Sequence, residues 1–207
     1  MRAIVQRVTT ASVSVDGEVI SCIGKGLCVL LGISKYDTSK EIEYMVRKIL
    51  NLRVFDDDGQ RWKKSVMDKN LEILCVSQFT LQAVLKGNKP DYHLAMGGEQ
   101  SENFYQDFLQ HLRSAYRADA IQDGKFGAYM QVHIQNDGPV TISLETPPPK
   151  PVQEKPVKQG KGNSKATDKK QDEKEPSTSF ADEEKNNCID PEQQVDNFNE
   201  LSLDDNR

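Results

Sequence analysis

The chain has 207 residues, four cysteines, and 27 Lys+Arg against 32 Asp+Glu, for a formal charge of −5. That length suits one compact domain with an appendage, or two small domains, and the charge supplies no global field for a polyanion. No apolar stretch approaches the roughly 18 residues of a membrane span, and Met1-Arg2 leads straight into strand-like sequence without a signal-peptide core; the expectation is a cytoplasmic protein with no membrane partner.

Ala11-Ser-Val-Ser-Val15 alternates strictly, Asp16-Gly17 is a tight-turn signal, and Glu18–Ile23 resumes strand-like residues, which predicts a β-hairpin. Leu27–Ile33 is apolar throughout and reads as a strand covered on both faces. Thr38 and Glu41 have capping-box spacing. Ile42, Met45, Val46, Ile49 and Leu50 then recur at helical intervals, predicting an amphipathic helix that ends near Asn51. Arg53–Phe55 reads as a short strand, and Asp56-Asp-Asp-Gly59 as a polar hairpin turn, since it lacks the later acidic ligands of a calcium loop.

Leu71–Ser77 is a further strand running into Gln78-Phe-Thr-Leu81. A second helix is spelled by Phe104, Phe108, Leu109, Leu112 and Tyr116 after a breaker at Gly97-Gly98. Beyond the loop Asp123–Gly127 come two last strands, one carrying Met130, Val132 and Ile134, the other Val140, Ile142 and Leu144, joined at Asn136-Asp-Gly-Pro139. At least five strands with two helices, linked mainly by hairpins, predict an α+β domain on a largely antiparallel, barrel-like sheet.

The tail has another composition. Seven of the nine prolines follow residue 146, with only two aromatics, Phe180 and Phe198. Such a segment lacks the apolar content to offset chain entropy, so residues 147–207 are expected to be disordered and 1–146 to form the folded domain. Residues 147–170 carry seven lysines against Glu154 and Asp168, and residues 171–207 three cations against twelve acids. A basic block beside an acidic one can engage a DNA or protein partner, or act only as a solvated tail. The lysines of 150–170 also permit nuclear entry.

Most catalytic machinery is missing from the pattern. No G-x-G-x-x-G, Walker loop or G-x-S-x-G elbow occurs, the cysteines form no C-x-x-C pair, and His93, His111 and His133 lack metal-ligand spacing. No cofactor and no metal are expected. Cys22, Cys28 and Cys75 lie in apolar runs where a reduced thiol serves as a small hydrophobe. Two segments stand out. Ser77-Gln-Phe-Thr-Leu81 sets three hydrogen-bonding side chains around an aromatic where a buried strand emerges, although ordinary polar satisfaction of a strand end is an alternative. Gly138-Pro139 is the second, a plain turn unless its backbone is used.

Together, Ser77–Leu81 and Asn136-Asp-Gly-Pro-Val-Thr141 resemble the two signature motifs of the D-aminoacyl-tRNA deacylases, also called D-tyrosyl-tRNA deacylases. Met1-Arg-Ala-Ile-Val-Gln-Arg-Val8 is similar to that family's first strand, so the resemblance covers about 1–146, with the charged tail as an animal elaboration. It implies hydrolysis of the ester between a D-amino acid, or misattached glycine, and the terminal adenosine of tRNA, a chiral proofreading step in translation. It further implies a homodimer in which Gly138-Pro139, joined by a cis peptide and braced by Arg7, enters the partner's active site. The catalytic segment would be Ser77, Gln78, Phe79 and Thr80.

These expectations agree with elementary physics. A rigid, side-chain-free turn can hold a substrate amino group and crowd the place where an L side chain would project. Backbone N–H groups near Gln78, Phe79 and Thr80 can form an oxyanion hole. Thr80 as nucleophile has no adjacent His or Lys to activate it, so water assisted by the ribose 2′-OH is the favoured attacking group. Lys86-Gly-Asn-Lys-Pro90 is a candidate contact for the acceptor end. The competing function is a nucleic-acid or chromatin adaptor in DNA replication, acting through the tail.

Overall fold

The structure is a computed structural model and describes residues 1–147; the expectation of a disordered tail lies, but for Pro147, outside the described residues. In chain order come β1 (Arg2–Val15), β2 (Glu18–Ile23), β3 (Gly26–Gly32), α1 (Ser39–Leu50), β4 (Phe55–Asp57), β5 (Gln60–Lys64) and β6 (Glu72–Ser77). After a 3-10 turn (Phe79–Gln82) follow β7 (Val84–Lys86), β8 (Lys89–Asp91), α2 (Gly98–Ala115), a second 3-10 turn (Ala118–Ala120), β9 (Ile121–Asp123) and β10 (Gln131–Glu145).

The locally encoded elements fall where their residues direct them. Asp16 and Gly17 both take positive φ, 53° and 87°, the left-handed pair that lets a two-residue turn match the twist of β1 and β2. The Glu41 carboxylate accepts from the Thr38 N–H at 2.8 Å and from its hydroxyl at 2.6 Å, fixing the start of α1. Ile42, Met45, Val46, Ile49 and Leu50 are all buried. Asp56–Gly59 turns the β4–β5 hairpin, with Asp58 and Gly59 at positive φ.

The sheet is mixed, which corrects the largely antiparallel expectation. Its order is β10-β1-β3-β6-β9, with β2 on the far half of β1. β1 runs antiparallel to β10, β2 and β3, but β3–β6 and β6–β9 are parallel. The cause is connectivity: α1 lies between β3 and β6 and α2 between β6 and β9, and a helical crossover returns the chain in the same direction. The fold is α+β with a nearly closed, barrel-like sheet and two helices.

Two apolar cores result. Ala3, Val5, Leu27, Val29, Leu31 and Ile73 pack with α1 and α2. On the other face Val8, Ala11, Val13, Ile23, Cys28, Leu74 and Val76 fill the curl of the sheet. Each large aliphatic side chain among them, fully buried, contributes about 1.5–3 kcal/mol. Cys28 and Cys75 are buried free thiols, as expected.

The final pair of strands expected from the sequence is one strand. β10 pairs with β1 on both sides of an interruption, Gln131–Asn136 against Ser14–Val8 and Val140–Glu145 against Arg7–Arg2. Asp137, Gly138 and Pro139 are left over between Arg7↔Val140 and Val8↔Asn136, so they form a bulge and not a hairpin. Three extra residues reverse the facing of the strand. Val132 and Ile134 accordingly pack on the inner core, and Val140, Ile142 and Leu144 on the helix-covered one.

Candidate functional site

β3, β6 and β9 are parallel, so their C-terminal ends open on the same edge, where ligands commonly bind. A pocket of about 300 Å³ lies there. Leu31 and Ile33 enter it from the end of β3, Ser77, Gln78 and Phe79 from the end of β6, and Phe126 and Gly127 from the loop after β9. Gly98 and Ser101 close it from the first turn of α2, where unpaired amides give a helix its partial positive charge.

The wall bearing Ser77–Thr80 is pinned from several sides. The Gln78 N–H donates to the Leu31 carbonyl at 2.7 Å, extending the β3–β6 ladder by one rung. The chain then closes into the 3-10 turn, with Leu81 N–H on the Gln78 carbonyl at 3.2 Å. Buried Gln82 donates from Nε2 to the Gly32 carbonyl at 2.9 Å, and Arg2 Nη1 to the Leu81 carbonyl at 3.1 Å. Gly32 is required: a Cβ there would lie 2.8 Å from Leu81 Cβ and 3.0 Å from the Gln78 carbonyl oxygen.

The geometry bears on which backbone N–H groups of this segment are free. Gln78 cannot contribute its N–H, which the ladder consumes. The N–H groups of Phe79 and Thr80 have no acceptor among the described residues, and both residues are exposed. Thr80 Oγ1 accepts from Gln78 Nε2 at 2.5 Å, and among the described residues no His, Lys or carboxylate contacts its hydroxyl. The arrangement offers two backbone donors and a positioned hydroxyl, with no general base at that hydroxyl among the described residues.

Phe79, 57% exposed, meets Tyr92 edge-on with ring centroids 5.1 Å apart. The Lys86–Pro90 segment, expected as a loop, is the tip of the β7–β8 hairpin beside this pair. Asp91 holds that hairpin. The Lys86 ammonium and then the His93 N–H and ring keep its carboxyl well below the usual carboxylate range.

Gly138 and Pro139 are exposed and stand away from this pocket. The ladders place the bulge beside Arg7, Leu27 and Ile73, whereas Ser77 aligns with Leu31 and Ala3. Four residues along the strands and three strands across, the separation is on the order of 20 Å. Gly138 has φ +108°, and a Cβ on it would lie 2.8 Å from Arg7 Nη2. Arg7 Nε donates to the Asp137 carbonyl at 3.2 Å and pairs with its carboxylate at 3.2 Å, and Nη1 reaches the Val54 carbonyl at 2.5 Å. No described peptide bond is cis, Gly138–Pro139 included, which corrects that expectation. The positive φ of Gly138 makes the turn instead.

The sequence pattern did not single out Leu31, Ile33, Ala95, Met96, Ser101, Phe126 and Gly127, which line the pocket, or Tyr92, which meets Phe79 edge-on at its rim. Gly97-Gly98 and Phe126-Gly127 carried a signal, since glycines at both mouths of a site permit close approach, but they read equally as breakers.

The pattern of the D-Tyr-tRNA(Tyr) deacylase family matches residues 4–145. The chain is 73% identical over 150 residues to human D-aminoacyl-tRNA deacylase 1, covering 72% of each protein, and 72% identical to the Bos taurus protein of that name over the same shares. It is 61% identical to a Drosophila melanogaster D-aminoacyl-tRNA deacylase, covering 71% of this chain and 93% of the relative. Among solved structures, that of a c-Myc DNA Unwinding Element Binding Protein is 72% identical, with TM-score 0.70, over 72% of this chain and all of that one. A probable eukaryotic D-amino acid tRNA deacylase, 18% identical with TM-score 0.61 over 69% and 97% of the two chains, shares the fold. The pocket at the ends of three parallel strands, the pinned Ser77–Thr80 wall and these likenesses have one reading: the chain belongs to the D-Tyr-tRNA(Tyr) deacylase family.

Proposed function

We propose that this chain is a D-aminoacyl-tRNA deacylase that hydrolyses the ester between a D-amino acid, or glycine, and the terminal ribose of tRNA, with the Gly138-Pro139 bulge of one subunit gating the pocket of its homodimeric partner. The observation that carries the gate is the placement of the two motifs at opposite ends of one sheet, about 20 Å apart. The bulge is exposed and braced by Arg7, yet it cannot border its own Ser77–Thr80 wall. A two-fold dimer brings such a feature to the other copy's site.

Water attacks the ester carbonyl carbon, and the developing oxyanion accepts from the free N–H groups of Phe79 and Thr80. The C–O bond to the ribose breaks, the ribose 3′-oxygen takes a proton, and a free amino acid leaves. With no general base at Thr80 among the described residues, the neighbouring ribose 2′-OH relays the proton. Specificity is steric: the gate backbone crowds the side on which an L side chain would project, while D-acyl groups and glycine fit.

Paired D- and L-tyrosyl esters of one tRNA test this. Multiple-turnover release from the D-ester with the L-ester spared is the expected result; equal rates from a dimeric protein overturn the chiral gate. A second reading, DNA binding, is favoured by the likeness to the c-Myc DNA Unwinding Element Binding Protein. Deleting residues 147–207 separates a tail-borne adaptor, which loses binding, from a deacylase, which keeps its rate.

A further inference from the structure

The β4–β5 hairpin carries a basic and aromatic string, Arg61-Trp62-Lys63-Lys64, that no step above uses. Trp62 is the chain's single tryptophan; it is 52% exposed and has φ +58°. Left-handed backbone is unfavourable for a bulky side chain and is kept where the surroundings or a function require it. Here Asp56 Oδ1 accepts the Trp62 N–H at 2.9 Å and holds the kink.

The charges of the hairpin differ in how they are paired. Lys64 and Lys69 share Asp57, at 3.3 and 3.1 Å, and Asp68 is occupied by the N–H and hydroxyl of Ser65. Asp58 sits exposed at the turn. Arg61 and Lys63 are exposed and have no ion-pair partner among the described residues, and they are the sequence neighbours of the exposed Trp62. That is the surface a nucleic acid meets: phosphates on the cations and a base or sugar on the ring.

Position supplies the link to the substrate. Arg7 grips the foot of the hairpin through Val54 and the Gly138 bulge through Asp137. A groove of about 370 Å³ between them includes Lys25 and Lys69 in its lining. Hairpin and bulge are therefore parts of one braced unit, and what the bulge approaches the hairpin flanks. Resting on the partner-gated reading above, we propose that the Arg61-Trp62-Lys63 string of one subunit receives the nucleic-acid body of the tRNA whose 3′ end occupies the partner's pocket.

The test uses the full chain as wild type, Trp62→Gly, and Arg61→Ala with Lys63→Ala, on D-tyrosyl-tRNA and on 3′-O-(D-tyrosyl)adenosine, which lacks the body. Glycine suits φ +58°, so Trp62→Gly is expected to melt no lower than wild type. For both variants KM on the tRNA ester rises on the order of tenfold, and for the double variant the logarithmic salt slope flattens by about two. kcat/KM on the adenosine ester stays at the wild-type value. Variants that lose both substrates in parallel, or neither, overturn the inference. Wild type inactive on both esters overturns the deacylase reading beneath it.

Discussion

Arg7 and Asp137 are joined twice, the guanidinium Nε lying 3.2 Å from both the backbone oxygen and the carboxylate of Asp137. The Arg7 side chain is only 13% exposed against 45% for Asp137, so the arginine is the sheltered, anchoring member. Since Nη1 also holds the Val54 carbonyl, one side chain fixes the bulge to two other parts of the fold.

Arg7→Lys is expected to fail although it keeps the charge, because one ammonium cannot reproduce the planar fork that serves Asp137 and Val54 together. Losing charge-assisted bonds of about 1.5–3 kcal/mol each loosens the bulge. Steady-state kinetics on D- and L-esters should show kcat/KM for the D-ester down at least tenfold and discrimination narrowed, with the sedimentation of wild type retained.

Gly138→Ala meets two obstacles, a φ of +108° and an arginine nitrogen 2.8 Å from the new Cβ. The expected outcome is a loss of about 1–2 kcal/mol in stability and a larger fractional loss of D-ester hydrolysis. Thermal melting and deacylation measured on one sample separate the two effects.

Thr80→Ala should retain activity within about threefold, a difference of under 1 kcal/mol in the barrier. Its hydroxyl accepts from Gln78 and, among the described residues, has no base to take its proton. Single-turnover rates check this. A drop of a thousandfold or more would make Thr80 the nucleophile and remove the water mechanism.

Cys28 and Cys75 are buried and free, and burial pushes their thiols up to about 11 and about 12. An unfolded thiol titrates near 8.5. The neutral form is therefore favoured by folding, and its contribution is complete below about pH 8.5 and lost as pH rises toward those folded values. Melting temperature should fall across that alkaline window. At pH 8, iodoacetamide followed by peptide mass spectrometry should leave both residues unlabelled until the protein unfolds.

The hairpin at Asp16-Gly17 and α1 were legible because their signals are local: a left-handed dipeptide, a capping pair and an apolar stripe. The parallel pairing of β6 between β3 and β9 was not, since it depends on helical crossovers that bring distant segments together, and β9 is only three residues long. Asn136-Asp-Gly-Pro139 has turn composition, and composition does not distinguish a hairpin from a bulge; only the continued pairing of both flanks with β1 does. At the site, Ser77–Thr80 and Gly138-Pro139 were visible as motifs. The need for Gly32 against Leu81, and the edge-on contact of Tyr92 with Phe79, belong to tertiary contacts that no single segment encodes.

The most direct measurement mixes two inactive proteins. Gly138→Val spoils the gate and leaves the pocket, while Ala95→Trp fills the pocket and leaves the gate. After the subunits are unfolded and refolded together, half of random dimers are mixed, each with one good pocket facing one good gate, so about a quarter of wild-type D-ester hydrolysis should return. If the gate served its own subunit, no mixed dimer would hold a working site, and a mixture as inactive as its two parents would contradict the account.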